Sequence, residues 1–335
     1  MRSIKPPRCS RRTLGWLCVA LLSFPIDGEA AEARERRTFA PLEASSSLDP
    51  DKVALGRMLF HDPELSKSRA ISCASCHDLA RGGTVPLSRA IAEDGKEHSF
   101  NAPTIFNVAA NYLLGWRGKH KSLETVSERV LLDSRLMASD WDLLAARLRQ
   151  DRDYAARFRR IYGRHADRES VLDALVTFQR SLVTPNSRFD RHLRGDGSAL
   201  TAGELRGLKL FMTYGCASCH QGANLGGNMR QRFGIFSQPD ATGTAEGAAA
   251  KARLPEDSDD DLFRVPSLRN VAVTAPYFHD GRIESLSEAV SIMGQRQLGQ
   301  TLSASDTDAI VSFLKTLTGE YDGRELENSV PAHDR

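Results

Sequence analysis

The sequence predicts an all-α fold made of two related domains, and three observations carry that expectation. Apolar residues recur at helical spacing in several stretches, some of them opened by side chains suited to capping. Period-two strand patterns are scarce. The chain also repeats itself, with four short stations occurring twice in the same order.

Arg2, Lys5, Arg8, Arg11 and Arg12 open the chain, followed by an apolar run from Thr13 to Phe24 and then Gly28-Glu29-Ala30. That order is the pattern of a secretory signal peptide over residues 1–30. The run is well short of the roughly 20 residues a spanning helix needs. No later segment is apolar enough to cross a bilayer, so the mature chain is expected to be secreted and soluble. The leader carries five positive and two negative charges, so a formal charge of +2 becomes −1 (2 − 3) without it. That balance gives no reason to expect a nucleic acid or an anionic membrane surface as partner.

Cysteine usage is more specific. Cys9 and Cys18 lie in the leader; Cys73, Cys76, Cys216 and Cys219 all belong to two copies of Cys-Ala-Ser-Cys-His, ending at His77 and His220. Cys-x-x-Cys-His is the attachment signal of c-type haem. The two thiols form thioether bonds to the porphyrin and the adjoining imidazole becomes an axial iron ligand. A redox dithiol would need a βαβ context, which is absent. A zinc ribbon separates its cysteine pairs by about 15–20 residues, whereas Cys76 and Cys216 stand 140 apart. Disulfides across such tight loops would be strained. Two covalently bound c-type haems are therefore expected.

The repeat surrounds both strings. Gly56-Arg-Met-Leu-Phe60 precedes the first and Gly207-Leu-Lys-Leu-Phe211 the second; Gly82-Gly83 and Gly226-Gly227 follow them. Asn101 to Ala109 is echoed by Arg264 to Ala272, and Gly118 to Leu123 by Gly281 to Leu286. An internal duplication is expected, with one haem domain over residues 38–185, another over 186–325, and a tail over 326–335. Between the stations, Val171, Leu172, Leu175, Phe178 and Leu182 predict a helix, as do Ile310, Val311, Phe313, Leu314 and Leu317 after Ser305-x-x-Asp308. Thr201-x-x-Glu204 and Ser285-x-x-Glu288 predict two more helix starts. The Ala- and Gly-rich stretch 241–252 and the acidic stretch 256–261 read as a solvated loop.

The repeat also separates the two irons. Seven residues after Leu286 stands Met293, predicted at the end of a helix just before Gly294; seven residues after its mate Leu123 stands Val130, which cannot ligate iron. Thioether sulfur stabilises reduced iron and raises the haem potential. One haem is thus expected to be closed and the other open. A packed core methionine is the alternative for Met293, and Met229 is the rival ligand.

Leu55 to Phe60, Asn101-Ala-Pro-Thr104, Thr184-Pro-Asn-Ser-Arg-Phe-Asp190, Gly226-Gly-Asn-Met229 and Ala275-Pro-Tyr-Phe-His-Asp-Gly281 together resemble the bacterial dihaem cytochrome c peroxidase family over nearly all of the mature chain. The resemblance implies two cytochrome c-like domains in a periplasmic, homodimeric enzyme that reduces hydrogen peroxide to water. The methionine-ligated second haem would take electrons from a small cytochrome c or a copper protein (a cupredoxin), and the first would bind peroxide. It also implies a calcium ion between the domains, at positions matching Asn101, Thr274 and Pro276, and an electron-transfer tryptophan between the haems at Trp116. A merely buried aromatic is the alternative for Trp116.

The sequence departs from the family's pattern in the peroxide pocket. The family's glutamine and glutamate fall on Val126 and Leu136, and its capping histidine falls on Glu93. His98, five residues on, could cap the iron, move the proton or stand exposed; Glu128 is a weaker carboxylate candidate. Two other functions therefore stay open: a MauG-type oxidase acting on side chains of a partner protein, and a dihaem electron-transfer or redox-sensing protein without turnover. The MauG type closes its second haem with tyrosine, which counts against it here.

Overall fold

The computed structural model describes residues 33–44, 47–236 and 262–327; the stretches expected to form a leader (1–30) and a solvated loop (241–252 and 256–261) lie outside the described residues. The described chain is mostly helical. Its principal helices are α1 (Pro50–His61), α2 (Leu123–Leu132), α3 (Trp141–Gln150), α4 (Arg152–Tyr162), α5 (Arg168–Ser181), α6 (Arg188–Leu193), α7 (Ala202–Thr213), α8 (Leu286–Leu298) and α9 (Ala304–Lys315). Short polar side chains start them, as the capping patterns require. Thr201 and Glu204 form a reciprocal capping box on α7, and the Ser285 hydroxyl accepts the Glu288 N–H at the head of α8. No helix among the described residues is long and apolar enough to cross a membrane.

Two helix pairs organise two cores. In the first, α1 crosses α5 so closely that a Cβ on Gly56 would lie 2.0 Å from the Ala174 carbonyl oxygen and 2.7 Å from Phe178 Cβ. In the second, α7 crosses α9 in the same manner, and a Cβ on Gly207 would lie 2.0 Å from Ala309 O and 2.9 Å from Phe313 Cβ. Neither position admits a side chain, which is why glycine stands at the same place in both repeat copies. Leu55, Leu59, Phe60, Leu175 and Phe178 fill the first core. Leu208, Phe211, Ile310, Phe313 and Leu314 fill the second.

Three details differ from the sequence expectation. Ser303, not Ser305, caps α9, its hydroxyl accepting the Asp306 N–H at 3.1 Å. Met293 lies inside α8 rather than at its end. Gly294 is buried against Leu302, and the stop comes at left-handed Gly299, whose N–H reaches the Gly294 carbonyl. Two small antiparallel ribbons also form, β1 (Arg230–Arg232) with β2 (Leu262–Arg264) and β3 (Glu320–Tyr321) with β4 (Arg324–Glu325). Strands of two or three residues are too short to display an alternation.

The chain ends cross between the cores. Phe39 packs edge-on against Phe189 of the second core with ring centroids 5.4 Å apart, while Tyr321 returns to Phe106 of the first at 4.9 Å. A buried ion pair fastens the N-terminal crossing. Arg269 (1% exposed) lies 2.8 Å from Asp190 (0%); Asp190 also accepts the Leu42 N–H and Arg269 donates to the Ala40 carbonyl. Removing one partner strands the other charge in the core, at a cost of about 3–5 kcal/mol. Arg269→Met should therefore lower the stability read from a urea melt by about that amount. A shift below about 1 kcal/mol would show that the pair is dispensable.

Candidate haem centres

Each Cys-x-x-Cys-His string folds into one tight helical turn. The His77 N–H closes on the Cys73 carbonyl at 2.9 Å and the His220 N–H on the Cys216 carbonyl at 3.0 Å. This puts both thiols and the imidazole of each string at the edge of one cavity. The four cysteines are free thiols. Burial, helped by the neighbouring Cys76, pushes the Cys73 thiol up to about 12, and burial pushes Cys216 up to about 11. A redox dithiol needs the opposite shift. His77 Nδ1 sits 3.3 Å from the Gly83 carbonyl and His220 Nδ1 3.1 Å from the Leu225 carbonyl. Each ring is thereby fixed with Nε2 available to a metal. Burial lowers the pKa of both imidazoles, His220 to about 4, which favours the neutral ligand form. Thiols, oriented imidazoles and apolar walls fit a covalently held porphyrin in each cavity.

The first cavity, about 360 Å³, is lined by His77 on one side and by Val126, Val130, Leu136 and His98 elsewhere. No methionine ligand is offered at Val130. His98 is half-buried rather than exposed. Its Nδ1 lies against the Phe100 backbone, 3.2 Å from that N–H, leaving Nε2 as the nitrogen not engaged there. Burial lowers its pKa and the nearby Arg135 adds to that, so the ring stays neutral at pH 7. Glu93 is not among the lining residues: its carboxylate takes the Ser68 N–H and its own N–H bonds Leu136 O. Glu128 is turned away as well, held by Arg168 at 2.5 Å on each oxygen and by Trp141 Nε1 at 2.9 Å. Sequence reasoning missed Asp133, Arg135 and Gln179 on this wall. Burial would raise the Asp133 carboxyl, but the hydrogen bonds and charge of Arg135 outweigh it and hold the group below the usual carboxylate range.

The second cavity, about 240 Å³, brings Met293 together with Cys216, Cys219 and His220. Met229 does not line it. Phe211 lines this cavity as its repeat mate Phe60 lines the first.

A shared wall separates the two. Asn101, Trp116 and Arg264 line both cavities. Trp116 Nε1 donates to the Asn101 carbonyl at 2.7 Å, and the Trp116 and His279 rings lie 6.3 Å apart. The wall is built symmetrically. The Asn101 N–H bonds the His279 carbonyl at 2.8 Å, and the Arg264 N–H bonds the Trp116 carbonyl at 2.7 Å. Asn101 and Arg264 are repeat mates, 163 positions apart, and so are Trp116 and His279. Thr274 and Pro276 line the second cavity beside them. Asn101 Nδ2 donates to the Leu87 and Ser88 carbonyls at 3.1 and 3.3 Å, leaving Oδ1 without a donor among the described residues. Among those residues no group of three or more His, Cys, Asp and Glu could hold a metal ion. A cation here would rest on neutral oxygens.

Comparison with known proteins agrees with this geometry. A family model for di-haem cytochrome c peroxidase matches residues 50–198 and one for cytochrome c matches 205–318. The chain is 35% identical over 322 residues to a cytochrome c551 peroxidase of Nitrosomonas europaea, covering 95% of this chain and 96% of that protein. It is 32% identical to the methylamine utilization protein MauG of Methylorubrum extorquens, covering 88% and 86%. A solved structure of a MauG-like protein associated with microbial copper homeostasis matches with a TM-score of 0.68 at 26% identity, covering 91% and 96%. With a haem-attachment string on each of two cavities and relatives matched from end to end, the chain belongs to the di-haem cytochrome c peroxidase family.

Proposed function

We propose that this protein reduces hydrogen peroxide to water in the periplasm, taking electrons one at a time from a small cytochrome c or a cupredoxin. The observation that carries the reading is the contrast between repeat mates: Met293 reaches into the second cavity, whereas Val130 offers the first no ligand. The haems, when bound, supply one-electron redox chemistry and, at an open iron, a place for peroxide. The chain's own residues do the rest. His77 and His220 would each hold a haem iron, Met293 would supply a second ligand at the second haem, and Val126, Val130 and Leu136 give the first pocket an apolar stretch of wall. Trp116 is the aromatic through which electrons pass between the two, supported by its place on the shared wall. His98 Nε2 is the group that moves a proton in the peroxide pocket.

Calcium is proposed at Asn101, Thr274 and Pro276, supported by the unengaged Asn101 Oδ1. Domain duplication with a boundary near residue 185 is supported by the matched Gly56 and Gly207 crossings and by the reciprocal bonds across the wall. The homodimer rests on resemblance alone. The MauG similarity favours a second reading, oxidation of a partner protein's side chains, and a modified partner would identify it.

The direct test is steady-state peroxide consumption by purified di-haem protein with reduced cytochrome c; absence of turnover would leave electron transfer as the better account. Met293→Leu should lower the reduction potential of the second haem and slow electron delivery from the donor. An unchanged potential in that variant would reject Met293 and turn attention to Met229.

A further inference from the structure

Arg264 is a cation in an unusual place. It is 5% exposed, lines both cavities, and its side chain is anchored by Nε to the Gly115 carbonyl at 3.1 Å. The two terminal nitrogens of the guanidinium have no protein partner among the described residues, and no carboxylate pairs with it. Burial alone pushes its pKa down, to about 10, with no anion compensating. The other deeply buried arginine, Arg269, behaves as expected and carries its own Asp190. A buried guanidinium without a counter-ion is strongly destabilising, and among the described residues none supplies the anion that Arg264 calls for. Two haems bring four propionate carboxylates, and planar guanidinium is the side chain best matched to carboxylate.

We propose that Arg264 is a counter-ion shared by propionates of both haems, set on the wall between them and raising both reduction potentials together. The repeat makes this asymmetric. The mate of Arg264 is Asn101, neutral and turned by its amide toward Leu87 and Ser88; Arg117, Lys119, Arg129 and Arg135 line the first cavity alone, and Arg264 is the cation among the described residues that lines both. Because reduction adds negative charge to each haem, a fixed cation nearby favours the reduced form. Arg264 is thus a positioning and potential-setting residue rather than one that touches peroxide.

The test rests on the presence of two haems, so the covalent haem count by mass is checked first; a failure there concerns haem loading and not Arg264. In Arg264→Gln carrying two haems, spectroelectrochemical titration should show both midpoint potentials shifted to lower values. Arg264→Lys, which keeps the charge, should return both toward wild type. Unchanged potentials, or a shift at one haem only, would overturn a shared counter-ion. Should the glutamine variant fail to load, Arg264→Lys still decides by resonance Raman. Altered propionate bending bands at both haems support the contact, and bands identical to wild type reject it.

Discussion

Replacing Cys73 and Cys76 together by alanine should leave one covalent haem per chain and abolish peroxide turnover. The two thiols of the first string form no disulfide, and burial pushes the Cys73 thiol up to about 12, against a role in thiol redox chemistry and in favour of haem attachment. Alanine removes little packing at the edge of the first core, where Cys73 is only partly buried. What it removes is the covalent tether, so the first porphyrin is held by the His77 contact and apolar walls alone. The second string lies on a different core, and its haem should remain attached with Met293 signature intact. Intact mass of protein made in a host with haem-maturation machinery, followed by a peroxide assay, checks both halves. A variant that still carries two covalent haems, or that turns over peroxide at the wild-type rate, would remove the first cavity from the reaction.

Both haem strings and Met293 were legible in the sequence for a physical reason. Covalent attachment dictates a local spacing, and the stations that occur twice let one half of the sequence be read against the other, which is how Met293 and Val130 could be contrasted without coordinates. Helices α5, α7 and α9 were legible from period and caps, although Ser305 was mistaken for the Ser303 cap because both serines precede an acidic residue at the right distance. The rest depended on contacts between distant positions. That Phe39 belongs to the second core and Tyr321 to the first cannot be read from residues whose neighbours in sequence lie elsewhere. Arg264 and Asn101 could be aligned as mates, but that both open onto two cavities follows only from how the halves meet. Glu128 looked available for acid–base work, but its engagement by Arg168 joins residues 40 positions apart.

Leu136→Glu should raise peroxide turnover by about 10²-fold, the lower end of what general acid–base catalysis contributes. Splitting the O–O bond unevenly requires a proton to leave the inner oxygen and reach the outer one, and the pocket is poor in groups that can carry it. Val126 and Leu136 are apolar. Asp133 is tied to Arg135 at 3.1 Å and Arg129 at 3.4 Å and stays ionised. Besides His77, two histidines line the pocket, His98 and His120; the proposed proton path runs through His98, which burial keeps neutral at pH 7, so Nε2 of the appropriate tautomer can accept the first proton and return it. A glutamate introduced at position 136 would place a carboxylate on the cavity wall beside Arg129 and Arg135, where burial raises its pKa against the opposing pull of those charges and the group is within reach to carry the proton. His98→Ala then tells the two routes apart. In the wild-type background it should slow turnover strongly while cyanide binding is unchanged; in the Leu136→Glu background the same change should cost much less, because the new carboxylate carries the proton. Equal losses in both backgrounds would mean that the two side chains do not share the task. Faster cyanide entry in His98→Ala, with turnover undiminished, would instead make His98 a cap over the iron.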